Sequence, residues 1–270
     1  MTISVSQTGY VPVNGLDMYY EITGTGEPLV LLHGGMGSTG TFAALVPALA
    51  AERQVIAFDL QAHGRTADID RPLRYGLMAD DVADALRSLG IARADLLGYS
   101  LGGGTALQVA IRRADIVRRL VLVSTPFRRA AWYPEILAGM AQLGPATAEM
   151  MKPTPLYRNY AALAPRPDDW PTLHVKLKEL LTRDYDWTQE VAAIRAPTLF
   201  VAGDGDSFSP SHAVEFFALL GGGRKDGGWD GSGLPASRLA ILPAQTHYDP
   251  LSSPLLADVV RSFLGIAMAD

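Results

Sequence analysis

Along the 270 residues, short runs of branched and aliphatic side chains alternate with longer stretches whose apolar positions recur every three or four residues. The short runs, at 16–23, 29–32, 54–59, 94–99, 120–124, 198–202 and 238–242, predict β-strands. LVLL at 29–32 and LVLV at 120–123 are apolar on both faces, as a parallel sheet covered by helices requires. The first run, LDMYYEIT, is more mixed and reads as an edge or antiparallel strand. Between strands, 78–89 places Val82, Leu86 and Leu89 at helical spacing, and 101–113 and 254–263 read as further helices. Strand–helix alternation of this kind predicts an α/β fold, a mostly parallel, doubly wound sheet.

From 126 to 194 the alternation stops. No strand pattern occurs there, and Pro153, Pro155, Pro165, Pro167 and Pro171 cut the segment into short helices. It also contains Trp132, Trp170 and Trp187, three of the four tryptophans. A long insertion between sheet strands predicts a helical cap, because functional material collects on the loops of a rigid scaffold. The expected organisation is therefore a core of 1–125 and 195–270 with a cap of 126–194.

Composition narrows the function. The chain is 48% hydrophobic and 19% charged, which suits a buried globule, and its net charge of −5 offers no surplus to neutralise phosphates. Nucleic acid is accordingly not an expected partner. The pairs Arg112–Arg113, Arg118–Arg119 and Arg128–Arg129 read as solvated element ends. The absence of cysteine removes disulfides, thiolate metal sites and cysteine nucleophiles together. MTISVSQTGY lacks a basic start followed by an apolar run, and no stretch approaches the roughly 18 apolar residues of a membrane span, so a cytoplasmic protein is expected. The glycine-rich 221–234 lacks the frame of a phosphate loop and reads as a surface connection.

Chemistry concentrates at Gly98-Tyr99-Ser100-Leu101-Gly102, a G-x-S-x-G. Glycines flank the serine because a strand-to-helix turn this tight leaves no room for side chains. The motif alone is weak, but here it follows the strand ADLLGY and opens the helix LGGGTALQVAIRR. Ser100 is thus the expected nucleophile, with the Leu101 amide aimed at a developing oxyanion. A serine needs a base. His212, in SPSHAVEFF behind a capping Ser209 or Ser211, reads as a surface residue; His247, in the loop after the last strand, reads as the base. The acid should lie in Gly203-Asp204-Gly205-Asp206, where Asp206 stands further out and Asp204 could simply hold the turn. The second oxyanion donor is expected in His33-Gly34-Gly35-Met36, with Gly35 as donor and Met36 as the alternative; His33 itself reads as a buried structural histidine. Met36, Tyr99, Trp132 and Tyr133 are expected to contact substrate, and Tyr157, Leu137 and Met140 add apolar surface to the insertion.

These motifs resemble the α/β-hydrolase superfamily, in its branch of small esterases, haloperoxidase-like perhydrolases and carbon–carbon bond hydrolases. The resemblance covers nearly the whole chain, through HGG at 33–35, DLQAHGRT at 59–66, GYSLG at 98–102, the 203–206 loop and His247. In that family the fourth residue of the G-x-x-D loop is the acid, which implies Asp206. Ala62 and Thr66 depart from a glycine and a serine of the family's D-x-x-G-x-G-x-S stretch, at structural positions. The resemblance and the triad imply hydrolysis of a carboxylic ester or related acyl compound, with no metal and no organic cofactor, and the aromatics of 126–194, read as a roof, predict a preference for small or medium apolar acyl groups. Carbon–carbon bond or thioester cleavage by the same triad is the alternative, and a ligand-binding receptor on the same fold a further one. Epoxide hydrolases and haloalkane dehalogenases carry aspartate where this chain has Ser100.

Overall fold

The computed structural model describes residues 5 and 7–266; part of the N-terminal stretch read for a signal lies outside them. In chain order the elements are β1 (Gln7–Val13), β2 (Leu16–Thr23), β3 (Glu27–Leu32), α1 (Val46–Leu49), β4 (Arg53–Phe58), α2 (Tyr75–Ser88), β5 (Ala94–Tyr99), α3 (Leu101–Arg112) and β6 (Val117–Val123). Five helices follow: α4 (Pro134–Gln142), α5 (Pro145–Met151), α6 (Pro155–Leu163), α7 (Trp170–Thr182) and α8 (Thr188–Ala193). The chain closes with β7 (Thr198–Gly205), α9 (Pro210–Leu219), β8 (Arg238–Thr246) and α10 (Pro254–Leu264).

The eight strands form one sheet in the order β1-β2-β4-β3-β5-β6-β7-β8. β1 pairs antiparallel with β2, and β2 antiparallel with β4; the other neighbours are parallel. LDMYYEIT is therefore antiparallel but internal, since β1 takes the edge. Asn14 and Gly15 turn that hairpin with φ of 47° and 84°, the left-handed pair that suits a two-residue connection. β1 escapes the periodicity because only Val11 and Val13 of QTGYVPV are buried, and its Pro12 sits where a ladder can spare a donor.

Alternate residues of each central strand enter different cores. Val30, Leu32, Ile56, Phe58, Leu96, Leu122 and Phe200 join α2, α3 and the β6–β7 helices. Leu29, Leu31, Val55, Ala57, Leu97, Val121 and Val201 join α1 and α10 on the opposite face. Burial on both faces is the physical reason these strands read as unbroken apolar runs.

The β6–β7 helices share the first of these cores through Trp170, Leu173, Leu177, Leu180 and Val191. Polar pins supplement that packing. Lys176 Nζ donates to Asp68 Oδ2 at 2.5 Å and to the carbonyls of Ile69 and Arg71 at 2.7 and 2.9 Å. Asn159 Nδ2 donates to Ser38 Oγ at 3.2 Å. The arginine pairs also differ from plain solvated ends. Arg118 makes a fork on the buried carboxylate of Asp95 (2.9 and 2.7 Å), and Arg128 one on Glu215 (both 2.6 Å). Half-exposed guanidinium groups at strand ends find carboxylates on the neighbouring element. Residues 221–234 form exposed turns capped by Asp226 and Asp230, with Trp229 fully in solvent. Among the described residues no helix is long and apolar enough to cross a membrane.

Candidate active site

Ser100 stands between the last residue of β5 and the first of α3 with φ 51° and ψ −114°, a backbone that L-residues rarely adopt. The flanking glycines explain how it is tolerated. A Cβ at Gly98 would fall 2.3 Å from the Gly102 carbonyl oxygen, and one at Gly102 only 2.0 Å from that of Leu32. Both gaps are far below contact distance, so the elbow cannot form with any other residue at either place. Thr125 Oγ1, just beyond β6, donates to the Ser100 carbonyl at 3.2 Å.

Three strand ends then converge. Ser100 Oγ lies 3.0 Å from His247 Nε2, and His247 Nδ1 lies 2.9 Å from Asp206 Oδ1. A carboxylate can only accept, so Nδ1 carries the imidazole proton and Nε2 is left to accept from the serine hydroxyl. Asp206 is buried and Ser100 half-buried. Asp204 is exposed and takes no part in this line. The His247 loop is braced by Asp249, whose Oδ1 accepts from the Thr246 amide at 2.7 Å and hydroxyl at 3.0 Å. Tyr99, expected beside substrate, donates its hydroxyl to the His247 carbonyl at 2.6 Å.

Of the 33–38 loop, Met36 takes a left-handed φ of 61°, closing a turn in which the Gly37 amide donates to the Gly34 carbonyl at 3.1 Å. Close approach explains the glycine at 34, where a Cβ would meet the Tyr99 ring at 2.8 Å. At Gly35 a Cβ would sit 3.8 Å from Leu177 of α7, an ordinary contact, so space does not demand glycine there. Among the described residues, the amides of Gly35, Met36 and Leu101 meet no protein acceptor.

The tryptophans divide. Trp132 is nearly buried and stands edge-on to the His247 ring at 5.3 Å, and the neighbouring Tyr133 is exposed, its amide donating to the Ser207 carbonyl at 3.1 Å. Trp170 packs inside the helical segment itself, against Tyr160 and His174, with its indole N–H on the Ala148 carbonyl at 2.9 Å. Trp187 stacks on Tyr185 and meets Tyr75 of α2 edge-on. Of the three, Trp132 is the one that meets the His247 ring.

The remaining histidines are structural. His33 Nδ1 donates to the Gly34 carbonyl at 2.7 Å and Nε2 accepts from the Leu60 amide at 3.1 Å; burial lowers its pKa to about 4. His63, 5.1 Å from it ring to ring, is pushed down by burial to about 3. His212 is not the surface residue its sequence suggests. It is buried, stacked on Phe127 at 4.2 Å, and accepts from the Phe127 amide at 3.3 Å. Burial lowers its pKa to about 4. The turn after β4 accommodates its two departures from the family pattern. Ala62 takes a left-handed φ of 66°, and Thr66 Oγ1 donates to the Asp59 carbonyl (2.7 Å) while accepting from the Tyr19 amide (2.9 Å).

One neighbour of Asp206 has no signal in sequence motifs: Ser124, at the end of β6, donates its hydroxyl to Asp206 Oδ2 at 2.6 Å. A hydroxyl after a strand is too common to single out until the fold brings it to a carboxylate.

Comparison with known proteins agrees with this architecture. A family model described as the alpha/beta hydrolase fold matches residues 27–150. The chain is 26% identical, over 92% of its length and 95% of the relative's, to an Azorhizobium caulinodans protein provisionally named carbamate hydrolase RutD. It is 27% identical to a pimeloyl-[acyl-carrier protein] methyl ester esterase of Nitrosomonas europaea, over 88% of this chain and 95% of that one. A solved hydrolase from Pseudomonas aeruginosa superimposes with a TM-score of 0.73 at 24% identity, covering 97% of this chain and all of the other. The family match over 27–150, these relatives and the superimposed sheet agree on the α/β-hydrolase fold for this chain.

Proposed function

We propose that the protein is a serine hydrolase that cleaves a carboxylic ester or related acyl compound through an acyl-enzyme. The observation that carries this reading is the unbroken line Ser100 Oγ–His247 Nε2 at 3.0 Å and His247 Nδ1–Asp206 Oδ1 at 2.9 Å. His247 takes the proton of Ser100 as the oxygen attacks the carbonyl carbon. Asp206 holds the imidazole in the tautomer that permits this and stabilises the imidazolium that results. The unengaged amides of Gly35 and Leu101 receive the oxyanion, where preorganised donors contribute most. His247 then protonates the departing alcohol, activates a water for attack on the acyl-enzyme, and returns the proton to Ser100. Ester and carbamate, the bonds named in two relatives, both present a carbonyl to such a nucleophile.

Residues 126–194 serve in this reading as a cap. Leu177 beside Gly35 and Trp132 beside His247 support it, since both bring apolar surface from that segment to the reacting groups. An apolar wall favours small or medium uncharged acyl groups. The chemistry is tested with a fluorophosphonate probe and p-nitrophenyl esters of graded chain length. Stoichiometric labelling at Ser100 together with ester turnover is expected. A protein that binds the esters but neither labels nor turns over is a receptor on this fold, and the proposal fails.

A further inference from the structure

The buried carboxylate of Asp206 has no arginine or lysine beside it; among the described residues its one ion-pair partner is His247. Its negative charge is therefore held by hydrogen bonds. Oδ1 accepts from the Ser207 amide at 2.7 Å as well as from His247. Oδ2 accepts from the Ser124 hydroxyl at 2.6 Å and, at the long limit of 3.3 Å, from the Gly203 amide. One face of the acid thus depends on a single side chain from a different strand.

That side chain is held in place at some conformational expense. Ser124 is fully buried and has a φ of 54°, a backbone that suits glycine or asparagine better than serine. Its amide donates to the Val201 carbonyl of β7 at 2.8 Å, which ties the end of β6 to the strand that leads into the Asp206 loop. The Ser207 and Gly203 amides belong to the same loop as Asp206 and would move with it, so the 2.6 Å bond from Ser124 is the short contact that ties Oδ2 to a different strand.

We propose that Ser124 is a positioning residue for the reaction: its hydroxyl orients the Asp206 carboxylate so that Oδ1 faces His247. This rests on reading Ser100, His247 and Asp206 as a triad. Hydrogen bonding to the charged form of an acid favours that form and draws charge away from its other oxygen. Removing the hydroxyl should leave more charge facing the imidazole and less control over its direction.

The test uses Ser124→Ala and Ser124→Gly in the full-length protein, with p-nitrophenyl acetate as substrate. Glycine relieves the left-handed backbone while removing the hydroxyl, so it separates the two contributions and guards against misfolding of the alanine variant. Both variants are expected to lose about 10- to 100-fold in kcat, with KM changed less than about threefold. The acidic limb of the kcat/KM profile should move upward by about half a pH unit, which a purely structural residue would not cause. In an Asp206→Asn background, Ser124→Ala should cost less than about twofold more, because the two groups act as a unit. Wild-type kcat in the glycine variant, an unmoved pH limb, or a full additional loss in the Asp206→Asn background would each overturn the proposal. If Asp206→Asn alone keeps wild-type kcat, the triad reading has failed and this proposal with it. If Asp206→Asn is crippled while both Ser124 variants behave as wild type, Ser124 alone is dismissed.

Discussion

The loops at the carboxyl edge of the sheet and the segment between β6 and β7 meet at Gly35 and His247 but are built on opposite terms. The edge loops are held largely by backbone: left-handed residues at Met36, Ser100 and Ser124, glycines that no side chain could replace, and amide bonds from Ser100 to Val123 and from Ser124 to Val201 between neighbouring strand ends. The helices are held by side chains, through Trp170 at their centre and Lys176 and Asn159 pinned to the loops beneath. A backbone-held site keeps its geometry when surface residues change, whereas a side-chain-held segment can be resculpted one residue at a time. Chemistry is thus expected to reside in the first region and selectivity in the second.

Mutations on the two sides should separate cleanly. Ser100→Ala and Asp206→Asn are expected to lower kcat by about two to four orders of magnitude with unchanged thermal melts, while Asp204→Asn changes it less than about twofold. Steady-state kinetics on the three variants checks this, and the reverse ranking of the two aspartates would transfer the acid role to Asp204. In the helices, Trp170→Ala should instead cost about 3–5 kcal/mol of stability, since a fully buried ring and its Ala148 bond are lost together. Urea melts read this directly; an unaltered midpoint would mean that Trp170 does not anchor the segment.

Acid offers a probe of the first region. His33 and His63 have folded pKa values of about 4 and about 3, below the ordinary 6.5, so the fold holds them neutral. Stability from this source is complete above pH 6.5 and falls as the pH drops toward 4, because the unfolded chain binds protons that the folded one refuses. By pH 5 each should have forfeited about 2 kcal/mol, measurable as a lower urea midpoint than at pH 7.5. His33→Gln should remove part of that dependence, and a flat stability profile from pH 7.5 to 5 would refute the account. The smallest effect is expected at Trp132. Trp132→Ala should shift the kcat/KM ratio between acetyl and octanoyl p-nitrophenyl esters by about three- to tenfold. Fluorophosphonate labelling of Ser100 should persist; an unchanged ratio would detach Trp132 from selectivity.

Legibility followed the same division. Strands buried on both faces announce themselves as apolar runs, and an elbow that admits only glycine on either side of a serine leaves a short string of letters. The Ser, acid and His segments are accordingly visible along the chain, although which of two aspartates faces the imidazole is a matter of how far the loop carries each. β1 was silent because Gly9 and Pro12 interrupt it and one face is solvated. His212 looked solvated because the ring it stacks on, Phe127, lies 85 residues away. Ser124 and Lys176 were silent for the same reason: their partners, Asp206 and Asp68, are brought near only by the folded sheet. The tryptophans were misleading as a group, since one sequence segment sends its rings to three different places.

The left-handed serines at 100 and 124 set the chain's needs as a catalyst against its needs as a folded object. At φ near +50°, glycine relieves a local cost of about 1–2 kcal/mol that serine carries. A laboratory lineage selected only for heat resistance or soluble yield would accordingly gain by drifting to glycine at 100, whereas at 124 the hydrogen bond lost from the buried Asp206 offsets the relief. With Ser100 as the proposed nucleophile, its members would become better proteins and inert ones, and a screen that counted folded molecules would record the loss as improvement.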